Sequence, residues 1–203
     1  MIYSKVSVMK TRLFGMLFVT LFAASQFAFA IDSASLPEVK RTKLGLYMEA
    51  KEVPVFLEKH GKKVLFLDLR TPEELLFVGM TDRVDGNAPF GVMNYSKWDE
   101  KKKAFPRAPN PDFLSNFEFW AIDKGIEKND PVVLICRSGD RSALGADFLA
   151  RNGYTNVWSV VDGFEGDLAT DGPNKGQRVV NGWKNAGFPW SYNLNKTKLL
   201  LKE

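Results

Sequence analysis

Pro131-Val132-Val133-Leu134-Ile135-Cys136-Arg137-Ser138-Gly139-Asp140-Arg141-Ser142-Ala143-Leu144-Gly145-Ala146-Asp147-Phe148-Leu149-Ala150 is the stretch on which the reading of the fold turns. Val132 to Ile135 are apolar and mostly β-branched, which predicts a buried strand. From Ser142 onward, Ala143, Ala146, Leu149 and Ala150 fall on one face of a predicted helix. Between strand and helix lies a loop, Cys136 to Arg141, that holds the only cysteine of the protein, two arginines, a serine and a glycine. A strand, a short loop and a helix N-terminus form a bowl of backbone N–H groups, with the positive end of the helix dipole behind it. Aimed at a cysteine sulfur, such a bowl stabilises a thiolate or an anion bonded to that sulfur.

The rest of the chain supplies the sheet around this strand. Predicted strands at residues 42–48, 64–69, 132–135 and 157–161 alternate with predicted helices beginning near 49, 72, 112 and 142, the signature of a parallel sheet covered on both faces. Ligand sites lie at the carboxyl edge of such sheets, where Cys136 falls. Thr71-Pro72-Glu73-Glu74 carries a complete helix start: Thr71 as N-cap, Pro72 in the first turn and Glu74 as the capping-box partner. In the helix after Asp112, Phe113, Phe117, Trp120 and Ala121 share one stripe and Gly125 ends it. Asp68, Arg70 and Glu74 read as a cluster of ion pairs and hydrogen bonds that fixes the loop near the cysteine.

Lys5, Lys10 and Arg12 precede an apolar run, Leu13 to Ala24, and Ala28-Phe29-Ala30 offers the small residues a signal peptidase reads. Residues 1–30 are thus expected to be a signal peptide cleaved after Ala30, with an uncleaved membrane anchor as the alternative. The expected destination is the periplasm or the exterior, with no stable membrane span after cleavage. Removing those three cations from the formal charge of +4 leaves +1, too little to argue for a nucleic-acid partner. A lone cysteine in an oxidising compartment has no intramolecular partner, and its position before a glycine-containing cationic loop points to reactivity. His60, the single histidine, sits at a predicted helix end and offers no His-based metal site or general base beside the cysteine.

The loop Cys136-Arg137-Ser138-Gly139-Asp140-Arg141-Ser142 resembles the active-site loop of single-domain rhodaneses, the sulfurtransferase family. Leu67-Asp68-Leu69-Arg70-Thr71-Pro72-Glu73-Glu74 resembles that family's Asp-x-Arg-x-x-x-Glu segment, and Gly182-Trp183-Lys184-Asn185-Ala186-Gly187-Phe188-Pro189 resembles its closing motif. The resemblance implies an α/β fold, a rhodanese-like three-layer domain over residues 42–190. Residues 31–41 then read as an unstructured arm and residues 191–203 as a tail without a readable role. Asp82-Arg83-Val84-Asp85-Gly86-Asn87 departs from the family's Gly-His-Ile-Pro-Gly-Ala segment, and Arg83 in the histidine position is expected at the pocket rim. Two insertions, near 90–111 and 167–181, are further departures. The first carries Tyr95, Trp98, Phe105 and the run Lys101-Lys102-Lys103, read as a solvated surface or as a recruiting patch. The second is read equally as a lid or as a surface loop.

The implied chemistry is transfer of sulfane sulfur. Cys136 attacks the outer sulfur of a small anionic donor such as thiosulfate, and the resulting persulfide is taken by a cyanide or thiol acceptor or by a periplasmic protein. Arg137 and Arg141 place positive charge where the donor binds, unless they pair with Asp140 or Asp147 at the helix start. Ser138, Gly139 and Asp140 complete the substrate-binding loop, and Ser142 either caps the helix or donates to a bound anion. No metal or organic cofactor is implied. Two alternatives stand beside this reading: a non-catalytic sulfur-relay module, and a cysteine phosphatase of the same architecture. Phosphatases place five residues between nucleophile and loop arginine to fit a phosphate, whereas four separate Cys136 from Arg141.

Overall fold

The computed structural model describes residues 31–201, so the expected signal peptide lies outside the described residues. The strands are β1 (Tyr47–Met48), β2 (Leu65–Asp68), β3 (Gly86–Asn87), β4 (Gly91–Met93), β5 (Arg107–Pro109), β6 (Val132–Ile135) and β7 (Val157–Val160). Four helices accompany them: α1 (Val53–His60), α2 (Pro72–Val78), α3 (Phe113–Lys124) and α4 (Asp140–Arg151). Five strands form one sheet in the order β1-β7-β6-β2-β3, and every pairing in it is parallel. β4 and β5 make a separate antiparallel pair.

The central strand explains why the sheet needs two covers. Val132, Val133, Leu134 and Ile135 are all fully buried, and side chains alternate between faces with a period of two. Val132 and Leu134 join Leu65, Leu67, Phe113, Phe117, Ala146 and Leu149 in the core beneath α3 and α4. Val133 and Ile135 join Phe66, Val53, Phe56, Leu75 and Trp183 in the core beneath α1 and α2. The parity of β6 carries on to Cys136, which belongs to the α3/α4 side.

Local chemistry accounts for the helix boundaries. Glu74 N–H donates to Thr71 Oγ1 at 3.4 Å, and the Glu74 carboxylate accepts the Thr71 N–H at 3.0 Å, closing the capping box that starts α2. Gly125 ends α3 in the left-handed conformation. At the other end of α3, Asp112 holds the N-cap position without a side-chain cap.

Several expectations are corrected. α4 begins at Asp140 rather than Ser142, with Gly139 as its N-cap, so the connecting loop is shorter and Ser142 lies within the first turn instead of capping it. The first strand shrinks to Tyr47–Met48. Residues 31–41 are not unstructured: they form two 3-10 turns, Ser33–Ser35 and Glu38–Lys40, and the half-turned arm is tied down by Lys40 to Asp167 at 2.7 Å. The tail is also packed, for Ser191 bridges Met80 and Lys198 Nζ donates to the Asp82 and Val84 carbonyls. Among the described residues, no helix is long and apolar enough to cross a membrane.

Candidate active site

Because the main strands are parallel, their C-terminal ends gather at one edge, and three segments meet there. Asp68 ends β2 and leads to α2, Cys136 follows β6 and leads to α4, and Val161 to Gly166 follow β7. Cys136 is 1% exposed, and the Gly139 N–H donates to its Sγ at 3.2 Å. The turn after β7 braces the loop from below, with the Phe164 N–H on the Cys136 carbonyl at 2.7 Å and the Glu165 N–H on the Arg137 carbonyl at 2.9 Å. Such close approach requires glycine. At Gly163 (φ +65°) a Cβ would sit 2.6 Å from the Cys136 carbonyl oxygen, and at Gly139 (φ +99°) 2.1 Å from the Val161 carbonyl oxygen. Asp162 is buried and accepts the Ala50 and Gly182 N–H groups at 2.7 and 2.8 Å. It ties the turn to the strand edge on one side and to the Trp183 segment on the other. Burial pushes its carboxyl upward despite those bonds.

The expected Asp68, Arg70 and Glu74 cluster resolves into two separate ion pairs. Asp68 and Arg70 are both fully buried. Arg70 Nη2 donates to Asp68 Oδ2 at 2.7 Å, its backbone N–H to Oδ1 at 2.9 Å, and its guanidinium lies 3.8 Å above the centre of the Phe164 ring. This pair holds the end of β2 against the turn that braces the loop. Glu74 pairs instead with Arg141, Nη1 to Oε2 and Nη2 to Oε1, both at 2.6 Å. A bidentate fork of this kind fixes the guanidinium in direction as well as place. Burial opposes the charged form of Glu74, but the two Arg141 bonds, the Arg141 charge and the Thr71 N–H outweigh it and hold the carboxyl at about 2. Arg141 is raised in turn, its own burial being overcome by Glu74 and by the nearby cysteine. Neither Asp140 nor Asp147 takes Arg141; the Asp147 carboxylate accepts the Lys43 N–H at 2.7 Å.

In front of the sulfur is a void of about 10 Å³, bordered by Cys136, Arg137, Ser138, Asp140, Arg141 and Arg107. That volume admits the centre of one water-sized group. Residues 55–170, more than half of the chain, match the family model described as the rhodanese-like domain. The chain belongs to the rhodanese-like domain family. It is 39% identical over 110 residues to a Rickettsia prowazekii protein described as uncharacterized protein RP600, covering 50% of this chain and 80% of that one. It is 31% identical over 91 residues to the thiosulfate sulfurtransferase GlpE of Actinobacillus succinogenes, covering 45% of this chain and 68% of that one. Among solved structures, the crystal structure of Rv0390 from M. tuberculosis aligns at a TM-score of 0.54 and 25% identity, over 72% of this chain and 97% of that one.

Within this rhodanese-like domain Cys136, Arg137, Ser138, Asp140 and Arg141 border the void, Gly139 donates to the sulfur, and Ser142 lies in the first turn of α4 behind them. Ser142 is fully buried, and its hydroxyl has no hydrogen-bond partner among the described residues. Arg83 is a correction. It precedes β3, at the N-terminal edge of the sheet, where it borders a separate cavity with Leu57, Glu58 and Lys124; parallel strand direction puts it at the end opposite Cys136, so it is no part of the rim. The rim cation is Arg107 of β5, delivered by the first insertion. Its guanidinium approaches Glu74 to 4.0 Å, and burial, followed by the charge of Arg141, lowers its pKa. A hint of this role was present in Phe105-Pro106-Arg107-Ala108-Pro109, where a single cation stands in an otherwise uncharged stretch. The second insertion, residues 167–181, borders neither this void nor the cavity beside it. It is fastened through Asn181 to Asp167 and through Asn185 to the Asn181 carbonyl.

Proposed function

We propose that this protein is a sulfurtransferase that carries sulfane sulfur as a persulfide on Cys136. The observation that carries this reading is the void of about 10 Å³ in front of Sγ, with the Gly139 N–H donating to the sulfur at 3.2 Å. Four residues separate Cys136 from Arg141, one fewer than in the loop of cysteine phosphatases, which supports sulfur transfer over phosphatase chemistry. In the first half-reaction the Cys136 thiolate attacks the outer sulfur of thiosulfate. A new S–S bond forms at Sγ, the bond to the sulfonate sulfur breaks, and sulfite leaves with that electron pair. Arg107 and Arg137 draw the dianion to the loop, while Arg141, fixed and neutralised by Glu74, shapes its border. In the second half-reaction a nucleophile attacks the outer sulfur of the persulfide and the electron pair of the S–S bond returns to Cys136. Asp68, Arg70 and Glu74 act as positioning residues, since none of the three borders the void.

The test is thiocyanate formation from thiosulfate and cyanide, beside a Cys136→Ser control. Cysteine-dependent multiple turnover is the expected result. Addition of the mass of one sulfur atom to Cys136 without turnover would favour the relay module, with a protein acceptor in place of cyanide. If neither turnover nor the added mass is seen, sulfur chemistry at this cysteine is overturned.

A further inference from the structure

The small void does not stand alone. It opens beside a cavity of about 440 Å³ that shares Arg107, Asp140 and Arg141 with it, a volume in the range of small-molecule sites. One wall is the first insertion, where β4 and β5 pair through Val92 and Ala108; the other is the outer face of α4. The lining is chiefly apolar: Phe90, Pro106 and Pro109 on the insertion side, and Leu144 on the helix. Leu144 is 55% exposed although it stands directly after the buried Ala143, so an apolar side chain is presented to the cavity rather than to the core. The charges around this lining are unequal. Lys102, Arg107 and Arg141 border it against the single acid Asp140, and Arg141 is already neutralised by Glu74. Cyanide and thiosulfate use neither the volume nor the apolar wall.

We infer that this cavity is the acceptor site, and that it selects an organic thiol with an apolar body and a terminal carboxylate. This inference rests on the sulfurtransferase reading. The apolar body lies against Phe90, Pro106 and Leu144, the carboxylate meets Lys102 or Arg107, and the thiol end reaches the persulfide. The acceptor thiolate attacks the outer sulfur of Cys136–S–S⁻. A bond forms between the acceptor sulfur and the outer sulfur, the bond to Sγ breaks with its electron pair remaining as the Cys136 thiolate, and the acceptor leaves as R–S–S⁻. Charge and sulfur balance with no further reactant.

The experiment uses the whole protein with thiosulfate as donor, sulfite release as readout, and three unactivated alkyl thiols as acceptors: mercaptopropionate, mercaptohexanol and mercaptohexanoate. The first has charge without length, the second length without charge, the third both. The expected kcat/KM for mercaptohexanoate exceeds that of either other thiol by about tenfold. Leu144→Asp, at an exposed helix position, is expected to lower the ratio of mercaptohexanoate to cyanide kcat/KM by about tenfold, while Leu144→Lys holds or raises it. Equal kcat/KM for the three thiols, or a ratio that Leu144→Asp does not move, overturns the inference while leaving sulfur transfer intact. If thiosulfate adds no sulfur mass to Cys136, the sulfurtransferase reading fails, and the acceptor site falls with it.

Discussion

Glu74→Gln probes the electrostatic frame of the site. Glu74 is held at about 2 against an ordinary 4.5, which corresponds to about 3 kcal/mol of stability at neutral pH. The sign follows from the direction. A carboxyl whose folded pKa is depressed stabilises the fold fully above its unfolded value, and that stabilisation is lost as pH falls from about 4.5 through about 2. Near pH 3 the unfolded chain has taken up its proton and the folded one largely has not, so about 1 kcal/mol remains. Glutamine keeps the shape and removes the charge, leaving Arg141 buried without its carboxylate. Urea unfolding of both proteins at neutral pH is expected to show the variant less stable by about 3 kcal/mol, within the usual range for breaking a buried pair. The same measurement near pH 3 is expected to find the gap reduced to about 1 kcal/mol. Other carboxyls titrate in both proteins and cancel in the difference. A gap of equal size at the two pH values would refute the assignment of the stabilisation to the ionised Glu74.

Three further outcomes are expected. Asp68→Asn leaves the Arg70 guanidinium fully buried with no carboxylate, at a cost of about 3–5 kcal/mol, visible as a thermal midpoint lowered by roughly 10 °C. Gly163→Ala must fit a Cβ 2.6 Å from the Cys136 carbonyl oxygen at φ +65°; a loss of more than about 2 kcal/mol in urea unfolding is expected, and unchanged stability would show that the turn does not clasp the loop. Arg107→Ala, at a partly exposed position of the insertion, is expected to raise the KM for thiosulfate about tenfold with the circular dichroism spectrum unchanged; an unaltered KM would remove Arg107 from donor binding.

Features written in short-range chemistry were legible in the sequence. The α2 start depends on Thr71, Pro72 and Glu74, all within one turn, and it stands as expected. The central strand declares itself because a parallel strand buried on both faces must be apolar throughout. The aromatic stripe of α3 is core for the same reason of spacing. What eluded the sequence depends on partners distant along the chain. Glu74 and Arg141 are far apart in sequence, and nothing local distinguishes a pair with each other from the pairs with Asp140 or Asp147 that helix spacing suggests. Arg83 was misplaced because a match to a family segment does not by itself say at which end of the sheet a residue will stand. Arg107 was overshadowed by Lys101, Lys102 and Lys103, and its position depends on β4 and β5 pairing across the whole insertion. The start of α4 moved to Asp140 because Gly139 adopts a positive φ and ends the loop early.

The parentage of the contacts around Cys136 also dictates when they can form. Leu134 must find Leu67 from far upstream, and the Cys136 carbonyl must wait for the Phe164 N–H from downstream. Tyr47, the first residue of the sheet, takes its place beside Ser159, almost the last. Loop closure of this kind is slow compared with local helix formation. A chain emerging in order therefore has α2 capped long before its cysteine is enclosed. Until β7 arrives the thiol is an open target for any oxidant, and the speed of that last pairing sets how long the exposure lasts.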